Sequence, residues 1–257
     1  NLWSAVFYSD IYSSCLMRHS TLEYVGAAPT RRKRRNPLGG WLLIAFALVL
    51  GGFFVRPLLP FLQAQQKLTS TGNLNEAIES LESDGDFASR LAAQALGRTK
   101  AEVSFEDAYY TIDFPNGDIP DNKGNRADVI VRSFRGVGID LQQDVNMDMS
   151  ENFRRYPQIY RRKEADSNID HRLVPNLQRF FSRKGQTLAV TTDTFDYRVG
   201  DLVVWRLVDG NPHIGIVVPG PGAKKSEKWI VHNMSGSPVW EDRLFDYKVI
   251  GHFRYGQ

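Results

Sequence analysis

The sequence predicts an α+β fold in which helices come first and a mostly antiparallel sheet follows, curling into a small barrel-like half. Three short β-segments, residues 201–207, 213–218 and 228–231, predict the sheet. Start and stop signals for helices upstream of these segments predict the helical part. The 257 residues, 42% of them hydrophobic, leave room for one good-sized domain with extensions.

The clearest predicted helix begins at Asp86, a residue type that caps helix N-termini, and stops at Gly97. Its apolar residues Phe87, Leu91 and Leu96 lie along one face. We therefore expect this helix to pack on the core with that face.

Further helices are predicted around a loop over residues 113–125, which is rich in Pro, Gly, Asn and Asp. Four residues of the next segment have the spacing of a buried helix that ends near Gly136: Val129, Ile130, Ser133 and Phe134. The arginine-rich segments 149–163 and 168–184 are predicted to be helical in part. A short helix is predicted over residues 75–82.

An apolar segment near the N-terminus predicts a membrane anchor. Residues 37–55 carry no charge, and a helix of that length, at about 1.5 Å per residue, nearly crosses a hydrocarbon core of roughly 30 Å. The basic run 31–35 precedes it, and the positive-inside rule then places the N-terminus in the cytoplasm. We expect a single-pass protein of a bacterial inner membrane with its C-terminal domain in the periplasm. Export to the periplasm after signal cleavage is the alternative.

This interpretation divides the chain into four segments. They are a basic cytoplasmic segment (1–36), a transmembrane signal anchor (37–60), a linker with a short helix (61–85) and a periplasmic domain (86–257). Within the first segment, residues 1–16 are interpreted as a translated upstream extension, because a methionine lies shortly before the basic run.

Composition excludes several classes of function. The net charge is only +3 and the basic residues cluster near the N-terminus, which argues against a nucleic-acid-binding domain. Cys15 is the single cysteine, so an intrachain disulfide and a cysteine-based metal site are both excluded. We expect no cofactor and no bound metal.

Two histidines stand at the ends of neighbouring predicted strands. His213 opens the second β-segment and His232 closes the third. Such residues can meet in space, and one imidazole can then orient the other by a hydrogen bond, as the general base of a nucleophile requires. The sequence therefore predicts a catalytic histidine pair.

Eight sequence blocks lie in order between residues 103 and 255: FPNGDIP, ADVIVRSFR, GIDLQ, NIDHRLVPNLQRFF, GDLVVW, PHIGIVV, IVHN and GHFRY. Together they resemble the bacterial YijF-like family, domain of unknown function 1287, which is related to the NlpC-type, papain-like cell-wall cysteine peptidases. The resemblance implies an NlpC-like fold that faces the periplasm and acts on peptidoglycan stem peptides.

The resemblance also implies roles for single residues. His213 matches the general-base histidine, and His232 matches the polar residue that orients it. Tyr109 matches an aromatic residue near the nucleophile, and Asn233 of the IVHN block is assigned to substrate binding.

The chain departs from the family pattern at the nucleophile. Where the pattern reads roughly Gly-Val-Cys-Thr-Asp-Val-Val, residues 124–130 read GNRADVI, so Arg126 stands in place of the cysteine. A second pattern, roughly Val-His-Glu-Asp-Met, reads VNMDM over residues 145–149. Arginine cannot replace a thiol, because its guanidinium stays protonated and has no lone pair to offer a carbonyl.

Three interpretations of Arg126 remain open: a side chain that binds a peptide carboxylate, a neutral replacement after loss of activity, and an artefact of the sequence. Asp128 is expected to cap or brace the start of the helix, or to contact substrate. His171 lies in the segment Asp170-His171-Arg172, where it joins either a structural ion-pair network or the substrate site.

Four hypotheses about function follow. The leading one is a membrane-anchored pseudoenzyme that binds cell-wall peptide without cleaving it. The second is an active amidase or endopeptidase whose nucleophile is Ser133 or a water activated by His213. A metal hydrolase built on His171, His213 and His232 is third, although the spacing matches no metal motif. The fourth is a structural partner of another envelope protein that docks on exposed arginines: Arg154, Arg155, Arg161 and Arg162.

Overall fold

The computed structural model describes Trp41, residues 44–49, Arg56, residues 73–222 and residues 227–256. The chain has two compact units, Asn1–Arg56 and Pro57–Gln257. In the first unit, Trp41 and residues 44–49 are helical and exposed.

The predicted anchor, residues 37–60, lies mostly outside the described residues, as do the predicted cytoplasmic segment and most of the linker. In the part of the chain that is described, no helix is long and apolar enough to span a bilayer.

Five helices are described in the second unit. They are α1 (residues 73–84), α2 (Phe87–Arg98), α3 (Asp128–Gly136), α4 (Leu141–Asn152) and α5 (Val174–Lys184). The predicted cap of α2 is confirmed, because Oδ1 of Asp86 accepts a hydrogen bond from the backbone N–H of Ser89 at 3.0 Å. The helix runs one residue beyond the predicted stop at Gly97.

The helix α3 is confirmed with its buried face. Val129, Ile130 and Phe134 are all buried, as the spacing predicted. Its N-terminus is capped from outside the helix, since Oδ1 of Asn125 accepts hydrogen bonds from the backbone N–H groups of Ala127 at 2.8 Å and Asp128 at 3.2 Å.

Residues 149–163 are helical in part, as predicted, but the helix α4 that enters this segment begins earlier in the chain. The helix begins at Leu141, well before residue 149, because Leu141, Val145 and Met149 form a buried stripe at a spacing of four residues. Downstream, only short 3-10 turns occur at Phe153–Arg155 and Ile159–Arg161. The second arginine-rich segment contains a 3-10 turn followed by α5, so partial helicity is confirmed there.

Within the described residues, eight strands form two sheets. Two short parallel strands, β1 and β2, pair with each other, and β2 lies inside the segment predicted as loop. The other six form an antiparallel sheet in the order β3-β8-β4-β5-β6-β7. The bounds are β1 (Ser104–Phe105), β2 (Lys123–Gly124), β3 (Gln186–Thr187), β4 (Leu202–Arg206), β5 (Pro212–Pro219), β6 (Lys228–His232), β7 (Val239–Glu241) and β8 (Lys248–Arg254). The α+β class and the three predicted β-segments are confirmed.

The central strands are buried on both faces. In β5, Ile214, Ile216 and Val218 pack into the main core, which also contains the buried residues of α2, α3 and α5. Val217 points the other way, into a smaller cluster that includes Trp205 of β4. Because side chains alternate along a strand, His213 faces the side of the smaller cluster.

Candidate functional site

The two predicted histidines meet across neighbouring strands. Nε2 of His213 lies 3.1 Å from Nδ1 of His232, and the imidazole planes are nearly perpendicular at 89°. Both side chains are buried, with 1% and 3% of their surfaces exposed. The ladder places His232 opposite Gly215, two residues from His213 on the same face. The predicted contact between the two strand ends is therefore present.

Gly215 and Trp205 pack against the histidine pair. The indole of Trp205 lies under His213, with 5.9 Å between ring centroids. A Cβ added at Gly215 would lie 2.6 Å from Cγ2 of Ile230 and 3.1 Å from Cη2 of Trp205. Only glycine therefore fits opposite His232 without displacing its neighbours.

The carboxylate of Glu241 lies beside His232, on the side away from His213. Nε2 of His232 lies 3.6 Å from Oε2 of Glu241, too long for a hydrogen bond but close enough for electrostatic attraction. Glu241 is itself held by Nε of Arg243 at 2.6 Å. Because β7 pairs Val239 with His232, Glu241 sits diagonally across from His232 on the same face.

This order of groups favours one arrangement of the protons on the two imidazoles. A carboxylate only accepts, so Glu241 favours the tautomer of His232 that carries its proton on Nε2. Nδ1 of His232 is then a lone pair that accepts from Nε2–H of His213. Nδ1 of His213 remains as a lone pair, and it is buried with no hydrogen-bond partner in the described structure.

Burial keeps both imidazoles neutral. The pKa of His213 is lowered to about 3, first by burial and then by the charges of His232 and Arg126. Burial also lowers the pKa of His232, while Glu241 opposes that change. A neutral imidazole with a free Nδ1 lone pair is chemically a base or a hydrogen-bond acceptor.

Arg126 lies in the segment that leads into α3, two residues before the helix begins. Its guanidinium carbon is 5.4 Å from the centroid of the Phe105 ring, within the range of a cation–π contact. Its side chain makes no hydrogen bond or ion pair with any residue that the structure describes, and its Nε is buried. The result is a half-buried positive charge, close enough to His213 to lower the pKa of that histidine.

Asp128 has the structural role that the sequence suggested. Its Oδ2 accepts from the backbone N–H of Asn125 at 2.7 Å, and Arg172 binds both carboxylate oxygens, at 2.9 and 3.1 Å. Arg172 also donates to the backbone carbonyls of Glu106 and Ala108. This buried ion pair ties the start of α3 to the chain before β2, which fixes the position of the Arg126 segment.

His171 and Tyr109 have their contacts elsewhere. His171 is 3% exposed, and its pKa is lowered to about 4, first by burial and then by the charge of Arg172. Its neighbours Asp170 and Arg172 are ion-paired with Arg162 and Asp128, while His171 stays neutral. The hydroxyl of Tyr109 bonds the side chains of Asp166 and Asn168.

Asn233 directly follows His232 and is also buried, with Oδ1 accepting from the backbone N–H of Gly236 at 3.2 Å. Asn233 lines a cavity next to the histidine pair, together with Asn125.

The structure does not support Ser133 as a nucleophile or a metal site built on histidines. Ser133 is fully buried, and its hydroxyl donates to the carbonyl of Val129 at 2.7 Å, so it is not accessible to a substrate. Over the described ranges, no group of three or more His, Cys, Asp or Glu side chains is placed to hold a metal ion.

Of the four predicted docking arginines, Arg162 is ion-paired to Asp170, and the others are exposed.

Sequence reasoning missed Glu241, Arg243 and Phe105. A signal for Glu241 was available in the alternation of Val239-Trp240-Glu241, which places a carboxylate on one face of a short strand. The sequence contained no comparable signal for Phe105, because its strand has two residues.

A family model described as "Domain of unknown function (DUF1287)" matches residues 92–255. The uncharacterized protein YijF of Escherichia coli (strain K12) is 41% identical over 164 residues, which are 64% of this chain and 78% of that protein. The predicted resemblance to the YijF-like family is thereby confirmed.

Proposed function

This chain belongs to the family described as Domain of unknown function (DUF1287), and we propose that its folded domain binds cell-wall peptide without cleaving it. The site of binding in this proposal is the surface around Arg126, next to the buried pair of His213 and His232. The ligand is a peptidoglycan stem peptide, held through a carboxylate.

The observation that carries the proposal is the unpaired charge of Arg126. The exposed carboxylate of Asp209 is close enough to interact electrostatically with this half-buried guanidinium but forms no ion pair with it, so a ligand carboxylate can still supply a direct partner. A carboxylate suits it, because arginine binds carboxylates through two parallel hydrogen bonds. The lone pair on Nδ1 of His213 adds an acceptor beside it for a peptide N–H or hydroxyl group.

The resemblance to NlpC-type, papain-like peptidases supports the absence of cleavage in this proposal. In those enzymes a cysteine stands at the helix start, where a histidine can take its proton. Here Arg126 leads into α3 instead, and the imidazole pair remains. A groove that keeps its binding surface but lacks a nucleophile fits this arrangement.

The proposed location is the periplasmic face of the inner membrane. It rests on the uncharged segment 37–55 and the basic run before it. Peptidoglycan lies in that compartment, so the anchor would hold the domain next to its ligand. The arginines near residue 155 are available to an envelope protein partner in the same place.

The test is co-sedimentation of the full-length chain with purified peptidoglycan sacculi, followed by chromatography of the soluble products. We expect binding without new muropeptides, and at least tenfold weaker binding for Arg126→Gln. Arg155→Gln, which changes an exposed arginine by the same substitution, is the matched control. Release of new muropeptides by the unaltered chain would overturn the proposal.

A second candidate is a hydrolase in which His213 activates a water molecule. The unpartnered Nδ1 lone pair of His213 favours it, since that atom can accept a proton from water. Under this hypothesis His213→Ala abolishes turnover, whereas Arg126→Gln affects mainly substrate binding.

A further inference from the structure

A cavity of about 490 Å³ with several charged residues in its wall adjoins the candidate site without including the three residues of that site. One side of α3, the chain after α2 and the loop after β6 enclose it. Asn125 and Asn233 form part of its wall, and they are the chain neighbours of Arg126 and His232. The volume is within the range of pockets that bind small molecules.

Six charged residues line this cavity, three arginines and three aspartates. They are Arg98, Arg132, Arg135, Asp118, Asp121 and Asp128. Four of the six are held in ion pairs, although the single charge of Asp118 cannot neutralise both Arg132 and Arg135, so one positive charge is left over among these three side chains. Asp118 is bound by Arg132 at 2.9 Å and by Arg135 at 2.6 Å, and Asp128 is held by Arg172 at 2.9 Å from outside the cavity.

Apart from that surplus positive charge, two side chains of opposite charge on the wall have no partner. The side chains of Arg98 and Asp121 make no hydrogen bond or ion pair with any other residue in the described part of the chain, and the two are not paired with each other. The Nε atom of Arg98 is buried and unsatisfied. A buried donor without a partner is destabilising, so a ligand that satisfies it gains free energy on binding.

Asn233 adds a neutral donor. Its Oδ1 accepts from the backbone N–H of Gly236, which leaves Nδ2 without a hydrogen bond to any described residue. The cavity wall thus has a guanidinium and an amide N–H group for an anion, and a separate carboxylate for a cation. A ligand with only an anionic group would leave Asp121 without a direct partner, and a ligand with only a cationic group would leave Arg98 without one.

We propose that this cavity binds a small zwitterionic ligand of the amino-acid or short-peptide class, with its carboxylate on Arg98 and Asn233 and its ammonium group on Asp121. This binding site goes beyond the proposed function and does not depend on it. Neither Arg126 nor the histidine pair lines the cavity.

The test is an NMR titration of the ¹⁵N-labelled full-length chain in detergent micelles with the dipeptide Ala-Ala. We expect saturable shifts of the Asn233 side-chain amide. N-acetyl-Ala-Ala lacks the ammonium group and Ala-Ala amide lacks the carboxylate, so each is expected to bind at least tenfold more weakly. Equal binding of the blocked and free dipeptides would overturn the proposal.

Charge variants provide the second arm of the test. Arg98→Gln and Asp121→Asn are each expected to weaken Ala-Ala binding at least tenfold. The matched controls are Arg90→Gln, on the exposed face of α2, and Asp107→Asn, an exposed aspartate outside the cavity, and both are expected to bind normally. Asp121 is exposed, so its substitution leaves the fold intact, as a thermal melt would verify.

Loss of binding in the controls to the same extent as in the cavity variants would also overturn the proposal. Because Arg98 is outside the surface around Arg126, the dipeptide titration and the sacculus assay fail or succeed separately.

Discussion

Nε2 of His213 lies 3.1 Å from Nδ1 of His232, and this contact sets the proton order of the whole site. Glu241 lies 3.6 Å beyond the second imidazole, and Arg126 lies near the first. The series of groups runs from the Glu241 carboxylate through His232 to His213. It ends at Nδ1 of His213, which has no hydrogen-bond donor among the described residues. Such a series orients a base, whether that base takes a proton or only accepts a hydrogen bond.

The first prediction concerns tautomers. We expect both His213 and His232 to carry the proton on Nε2 at neutral pH, because Glu241 attracts the proton of His232 and the contact then dictates that of His213. Long-range ¹H–¹⁵N correlation spectra of the imidazoles measure this directly. Glu241→Gln should reduce the preference of both histidines for the Nε2-protonated tautomer. Asp246→Asn serves as the control, because Asp246 is an exposed acidic residue that also pairs with Arg243. An Nδ1-protonated His213 in the unaltered chain would contradict the assignment.

The second prediction concerns restoration of a thiol. In a Cys15→Ser background, Arg126→Cys should give a thiol with a lowered pKa, because the segment lies at a helix start near the His213 base. Alkylation by iodoacetamide should therefore proceed below pH 7, and purified sacculi should release muropeptides. The double variant Arg126→Cys/His213→Ala should lose both properties. Alkylation with the pH profile of a free thiol in both variants would rule out a functional link between residues 126 and 213.

The third prediction concerns acid stability. The folded-state pKa values of His171, about 4, and His213, about 3, lie below the unfolded value of about 6.5. The unfolded state then binds more protons in this window, so the free energy of unfolding falls as the pH drops below about 6.5. For His171 the loss is about 1.4 kcal/mol per pH unit between about 6.5 and about 4.

Urea denaturation at several pH values measures this loss. The variant His171→Gln removes one of the titrating groups, so its free energy of unfolding should depend less steeply on pH than that of the unaltered chain. Identical pH slopes for the two proteins would show that His171 does not titrate on unfolding.

The fourth prediction concerns the ion pair of Asp128 and Arg172. Asp128→Asn leaves the buried guanidinium of Arg172 without a counter-charge, so we expect a loss of about 3–5 kcal/mol in the free energy of unfolding. The control is Glu106→Gln, which breaks a pair with Lys123 whose side chains are 30% and 37% exposed. An exposed pair contributes little to stability, so the control should lose much less than Asp128→Asn. Equal losses in the two variants would contradict the bracing role of Asp128.

The sheet and the histidine contact could be predicted from the sequence because strand alternation and turn residues are local signals. His213 and His232 lie at strand ends, and antiparallel pairing of consecutive strands brings such ends together. The helix α3 could be predicted for the same reason, since its buried residues have regular spacing.

What could not be predicted depends on contacts between distant segments. Arg172 reaches Asp128 across 44 positions of the chain, and no local pattern marks either as a partner of the other. The start of α4 was missed because its sequence is mostly polar, with an apolar stripe of three residues. The charges left on Arg98 and Asp121 emerge only once the other charges have found their partners.

The construction of the β5–β6 hairpin has a consequence for how the domain folds and evolves. The two imidazoles are separated by 19 positions, so the hairpin alone brings them together, independently of the helices. A contact of such short sequence separation costs little chain entropy to form. A point mutation of the residue ahead of α3 therefore leaves the residues that hold the imidazole pair unchanged.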